Sequence, residues 1–379
     1  MLSKDSLARY AVIPLFILAL LNEISYQMVI PALNVLLKAM LIHPTALMVD
    51  TMYGMGIAAF TVAMIVGSPI MGWLSDKFGR KKVLLFCLGG VLGSSTLFIT
   101  SLYLHNISLF ILARILSGVA AASTAIVQAA VADISFARSR AVHFSTVGLA
   151  LTLGLILGPL LGGYFIRGFD VNLVELSLPF LITGIIAVIN IMLLAVLYHE
   201  IPHKKSDHIA VYSMKYLTKY LGLFFILEFS WSLYYLSLPT YLTQRFLYDS
   251  YEISLYLSSL GVSMCFGLIF YRWISQYLSN QKIVQISFGI FIVSLFLPMW
   301  WMIVPITWSV ALSYVALMGL LSDEVGHKHQ GILMGTTLTT MALAWTVTGF
   351  AVKFLATMNV LYPFMVSGVV LAVGLCLAL

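Results

Sequence analysis

The sequence predicts an all-α polytopic membrane protein, with twelve transmembrane helices in two six-helix bundles, on three observations. The first is composition: 61% of the residues are hydrophobic, 9% are charged and the mean hydropathy is +1.03. A soluble domain carries about 25% charged residues, so a water-facing surface cannot be built from this chain. The second is the length of the apolar runs. Each has about 20 residues or more and none alternates polar and apolar positions, which points to helices that satisfy their own backbone hydrogen bonds and away from a barrel. The third is the hydrophilic stretch His199–Lys215, the longest in the chain, which divides it into 1–198, a linker at 199–215, and 216–379.

In chain order the predicted spans of the first half are Tyr10–Leu37, Leu47–Leu74, Val83–Leu104, Leu109–Asp133, Ala141–Ile166 and Leu176–Leu197. Those of the second are Tyr216–Thr243, Ile253–Ser275, Ile283–Trp300, Met302–Leu321, Gly331–Thr357 and Val360 to the end of the chain. Lys4 and Arg9 precede the first run and few small residues follow it, so it reads as a span and not as a cleaved signal. Pro298 and Pro305 interrupt the junction of the ninth and tenth spans.

The cations set the topology. Lys77, Arg80, Lys81, Lys82, Arg138, Arg140, Lys204, Lys205, Lys215, Lys219, Arg272, Lys282 and Lys328 fall after even-numbered spans, on the side of Lys4 and Arg9. Only Lys38, Arg167, Arg245 and Lys353 lie on the other side. The bias places both termini in the cytoplasm. The net charge of +6 is therefore a topology signal, and with no basic patch interleaved with exposed aromatics a nucleic-acid partner is excluded. Cys87, Cys265 and Cys376 sit in apolar runs as packing residues, with neither disulfide nor metal spacing. His199, His203 and His208 of the linker lack metal-site geometry, and His327 and His329 read as solvated.

The halves echo each other. The first span carries Glu23-Ile24-Ser25-Tyr26 and then Pro31; the seventh carries Glu228-Phe229-Ser230-Trp231 and then Pro239. This supports two six-helix repeats related by an axis along the membrane normal. Glu23, Arg114 and Glu228 are the ionisable residues deep inside apolar runs, where a charge costs about 2.5–3.5 kcal/mol on insertion scales. Removal from water favours the neutral form of a carboxyl group, which lets a buried acid load and release a proton. Asn22, Tyr26 and Gln27 form a polar stripe with Glu23, and Trp231, Tyr234 and Tyr235 supply an aromatic wall near Glu228, so these are the candidate substrate-binding residues.

Three motifs stand out. Between the second and third spans runs Gly72-Trp73-Leu74-Ser75-Asp76-Lys77-Phe78-Gly79-Arg80-Lys81-Lys82. Gly72 allows close helix approach, Gly79 a turn at positive φ, and Asp76 needs a cation or a helix N-terminus as partner. The fourth span contains Arg114-Ile115-Leu116-Ser117-Gly118 followed by alanines. The fifth contains Gly154-Leu155-Ile156-Leu157-Gly158-Pro159-Leu160-Leu161-Gly162, small residues at i, i+4 and i+8 with a bend at Pro159.

The chain resembles the major facilitator superfamily, and within it the twelve-helix drug:proton antiporter group. In that family the Asp and Arg of the first motif form a cytoplasmic latch, which maps onto Asp76 and Arg80, with Asp133 as the further acid expected to pair with Arg80. The arginine of the second motif is tied to proton transfer, which maps onto Arg114, and the third motif marks the antiporter branches. The resemblance implies a proton-coupled exporter of a drug or metabolite working by alternating access, with the proton as coupling ion and no other cofactor. It also implies a monomer in a bacterial inner membrane, with lipid and a small-molecule substrate as partners. A proton-symporting importer, an uncoupled facilitator and a non-transporting sensor are the rivals. No Ser/His pair, paired Asp or metal cluster in the spans points to an enzyme.

Overall fold

The computed structural model describes residues 4–40, 46–135, 137–165, 173–198, 214–248, 250–297, 299–325 and 329–379. The linker histidines, His327 and Pro298 lie outside them.

The first six spans are α1 (Lys4–Met40), α2 (Ala46–Phe78), α3 (Arg80–Tyr103), α4 (Ile107–Ala120) with α5 (Ser123–Ile134), α6 (Ala137–Phe165) and α7 (Leu173–Leu197). The next are α8 (Met214–Phe246), α9 (Ser250–Ile274), α10 (Asn280–Ser294), α11 (Met299–Glu324), α12 (Gln330–Met358) and α13 (Tyr362–Ala378). Ten spans are long and apolar enough to cross a membrane, α4 and α5 counting as one; α10 and α13 are shorter, at 15 and 17 residues.

The structure departs from the sequence reading in three places. The fourth span is not continuous: at Ala121–Ala122 the ladder tightens, with Ala122 N–H donating to Val119 O and Thr124 N–H to Ala121 O. The break follows Gly118, whose missing Cβ lets α4 sit on the Phe60 carbonyl of α2. The basic turn is shorter than its motif, because α2 runs to Phe78 and α3 starts at Arg80, leaving Gly79 alone to reverse the chain at φ 98°. That left-handed conformation suits glycine. The ninth span stops at Ser294, short of Trp300, where the Leu295 N–H is shared between Phe291 O and Ile292 O. A helix ends readily before an X-Pro bond.

The described residues pack as two compact units. One draws on Met1–Ile134, Leu153–Lys204 and Lys328–Thr339, the other on Ser135–Thr152, Lys205–His327 and Thr340–Leu379. In the first unit α3 packs on α7, α3 and α2 on α4, and α1 on α7 and α5. In the second α10 packs on α13, α10 and α9 on α11, and α8 on α13 and α11. Each pairing of the first set recurs in the second six spans later, the packing expected of a duplicated bundle. Phe98 anchors the first core, with its ring 5.9 Å from Phe110 and 4.9 Å from Phe180. Tyr234 anchors the second, edge-on to Phe291 and Phe364.

Candidate functional site

The first cluster forms where α6 crosses α1. A Cβ on Gly154 would strike the Glu23 side chain, one on Gly158 would strike Gln27 and one on Gly162 the Met28 carbonyl. The three glycines are spaced one helical turn apart, and each is the seat for one turn of α1. Pro159 lies inside the same helix. With the two backbones so close, Glu23 stays half-buried and Gln27 Nε2 donates to Glu23 Oε1 at 2.7 Å. On the neighbouring face Asn22 Nδ2 donates to Ser123 Oγ of α5 at 2.8 Å, and the Tyr26 ring meets Phe60 at 6.4 Å.

Arg114 projects from α4 towards α2. Its Nε donates to Gly56 O at 2.9 Å and its guanidinium lies 4.6 Å from the Phe60 ring centroid. Gly56 is small by necessity, since a Cβ there would come within 2.9 Å of the Phe110 ring. Neither Glu23 nor any other carboxylate pairs with Arg114 among the described residues.

In the second unit Glu228 is buried, and its Oε2 accepts a hydrogen bond from Trp345 Nε1 of α12 at 3.0 Å. The rings of Trp231 and Tyr235 are 5.6 Å apart, and Tyr235 is 6.1 Å from Trp345. This row of rings ends on the indole that bonds the acid. Tyr234 stacks on Trp231 with centroids 5.9 Å apart and is fully buried, with its hydroxyl 3.4 Å from that of Tyr256.

The basic turn builds a second kind of site. Arg80 is 1% exposed and bonds both acids, Asp76 Oδ1 at 2.6 Å through Nη1 and Asp133 Oδ2 at 2.8 Å through Nε. Asp76 also accepts the first free N–H groups of α12, from Gly331 and Ile332, both at 2.9 Å. A carboxylate at a helix N-terminus satisfies orphan donors and the helix dipole together. The approach depends on Gly72 facing Gly331 and on Gly335 facing Ser68 and Pro69, where a Cβ would collide with backbone. In the second unit Arg140 donates to Ser322 O at 3.0 Å and to Asp323 Oδ1 at 2.8 Å, at the last turn of α11.

Several of these residues escaped the sequence reading. The Gly331-x-x-x-Gly335 spacing was a visible signal for close approach. Trp345 was visible as the tryptophan of the eleventh span, but no local pattern ties it to Glu228, more than a hundred residues away. Gly56, Phe60 and Ser123 carry no signal of their own. Among the described residues no group of His, Cys, Asp or Glu is large enough to hold a metal ion.

A family model described as Major Facilitator Superfamily matches residues 15–320. The class H tetracycline resistance protein of Pasteurella multocida is 25% identical over 373 residues, covering 93% of this chain and 90% of that protein. The quinolone resistance protein NorA of Staphylococcus aureus is 25% identical over 333 residues, covering 83% and 82%. Among solved structures, the human organic anion transporter MFSD10 (TETRAN) superposes with a TM-score of 0.83 at 18% identity, covering 98% of this chain and 99% of that one. The transporter FucP in its outward conformation superposes at 0.78 with 12% identity, covering 97% of each chain.

Proposed function

Because the chain belongs to the major facilitator superfamily, we propose that it is a proton-coupled exporter of a drug or metabolite, working by alternating access. It is an integral membrane protein of a family of transporters, not of enzymes. The observation that carries the finer reading is the seating of Glu23 and Gln27 directly on Gly154 and Gly158. The helix that resembles the antiporter-branch motif is thereby the helix that positions the candidate proton carrier. Relatives named for tetracycline and quinolone resistance support export as the direction.

Glu23 is the coupling acid, and Glu228 with Trp345, Trp231 and Tyr235 binds cargo. Coupling follows from competition: a carboxylate that holds either a proton or the substrate cannot release one without taking the other. Asp76, Arg80 and Asp133 steady one of the alternating conformations. The proton is the coupling ion and no other cofactor is needed. The protein acts as a monomer in a bacterial inner membrane, with both termini in the cytoplasm.

The test is proton movement in proteoliposomes, followed with a pH dye while a tetracycline or a quinolone is added. Substrate-induced proton counterflow is expected. Drug flux without proton movement identifies a facilitator and overturns coupling, and co-directional proton flow identifies a symporter and overturns export.

A further inference from the structure

Among the described residues three arginines are buried, and two of them meet carboxylates. Arg80 bonds Asp76 and Asp133, and Arg140 bonds Asp323. Arg114, 5% exposed in the middle of a span, meets none among the described residues. An arginine cannot shed its proton, so it cannot escape the cost of burial as a lysine can. A chain that keeps such a charge in the bilayer interior without an internal counter-ion needs another partner for it.

The local geometry says what that partner is. The bond from Nε to Gly56 O fixes the plane of the guanidinium, and the Phe60 ring covers it at 4.6 Å. Neither contact uses the Nη nitrogens, whose parallel N–H groups match the two oxygens of a carboxylate. Phe60 also meets the Tyr26 ring at 6.4 Å, and the Tyr26 hydroxyl lies beside Asn22 and Ser123. A guanidinium with its fork unused therefore shares one aromatic ring with a polar tyrosine. Gly56 brings the two helices close here, because a Cβ there would press on the Phe110 ring at 2.9 Å and touch the Arg114 side chain.

We propose that Arg114, with Phe60 and Tyr26, is the subsite that recognises an anionic carboxylate group of the cargo. This names the cargo's chemistry and rests on the transporter reading above. Arg114 is then a specificity residue that contacts substrate, and it is not the partner of Glu23.

The test compares binding of 2-naphthoate and of the uncharged 2-naphthamide to the purified full-length protein, read by thermal stabilisation and tryptophan fluorescence. Charged hydrogen bonds of this kind favour the carboxylate by roughly ten- to a hundredfold. Arg114→Gln should abolish that preference, and Arg114→Lys should retain part of it, keeping charge but not the fork. Equal binding of the two probes by the wild type, or a preference that survives Arg114→Gln, overturns the proposal. So does protection by chloride that matches protection by 2-naphthoate, which would make the site one for inorganic anions. Should the Gln variant not fold, the wild-type ratio and the Lys variant still decide. Efflux of a tetracycline or quinolone from vesicles is read separately: binding preference without efflux sinks the exporter and spares this inference, and efflux without the preference does the reverse.

Discussion

The two repeats place an acid at the same position and surround it differently. Glu23 of α1 is half-buried, takes its hydrogen bond from Gln27 on its own helix, and rests against the glycines of α6. Glu228 of α8 is buried among rings and takes its hydrogen bond from Trp345, on a distant helix. The first acid is held by an amide that moves with it; the second depends on the packing of two helices. The buried cations of the two compact units, both from the first six spans, also differ. Arg80 is enclosed with two acids, whereas Arg140 meets one acid, Asp323, that is 42% exposed. Duplication preserved the positions of the two acids and not their surroundings, the contrast on which the proposed division between proton carrier and cargo site rests.

The sharpest break of that comparison is to neutralise each acid. Glu23→Gln should lower proton-coupled flux by about a hundredfold or more, the scale of losing an essential proton carrier. Glu228→Gln should retain coupled flux and change the order of preferred substrates. Both are read in proteoliposomes with a pH dye, and equal losses in the two variants would erase the division of labour. Next in size is the contrast of the arginines. Arg80→Ala removes the buried cation that two acids share and should cost about 3–5 kcal/mol in unfolding free energy. Arg140→Ala should cost less than about 1 kcal/mol, because the Asp323 carboxylate keeps access to water. Thermal unfolding in detergent checks both.

The glycines extend the contrast to packing. Gly154→Val forces its branched side chain into Glu23 and should destabilise by about 1–3 kcal/mol. Gly222→Ala on α8 meets nothing within 4 Å and should stabilise by up to about 1 kcal/mol. On the cargo side, Trp345→Phe keeps the ring and deletes one N–H donor to Glu228. Cargo affinity should fall by about tenfold, and coupling through Glu23 should be untouched, as flux measured against substrate concentration would reveal.

Much of the site was legible because its signals are local. A buried acid in an apolar run, a glycine every fourth residue and an acid beside a Gly-Arg turn each show within a single span. Gly79 required its positive φ for the reason visible in the sequence, and Asp76 found both kinds of partner open to it, Arg80 and a helix N-terminus. Trp345, Phe60 and Gly56 were not legible, because what distinguishes them is the residue they face. Tyr234 reads the same as Tyr235 along the chain, yet one turns into the core and the other towards Trp345, since neighbours on a helix point about 100° apart.

By itself the sequence determined that this chain lives in a bilayer, that its backbone must be helical there, and where its charges are affordable. Those outcomes depend on composition and on periods shorter than one span. Only the tertiary structure decided which helix ends meet, which arginine is left without an acid, and which indole completes the site of Glu228. Such pairings are contacts between residues far apart in the chain, and they follow from how close two backbones can come. That distance is set jointly by small residues on both helices, and neither strand of sequence carries it alone.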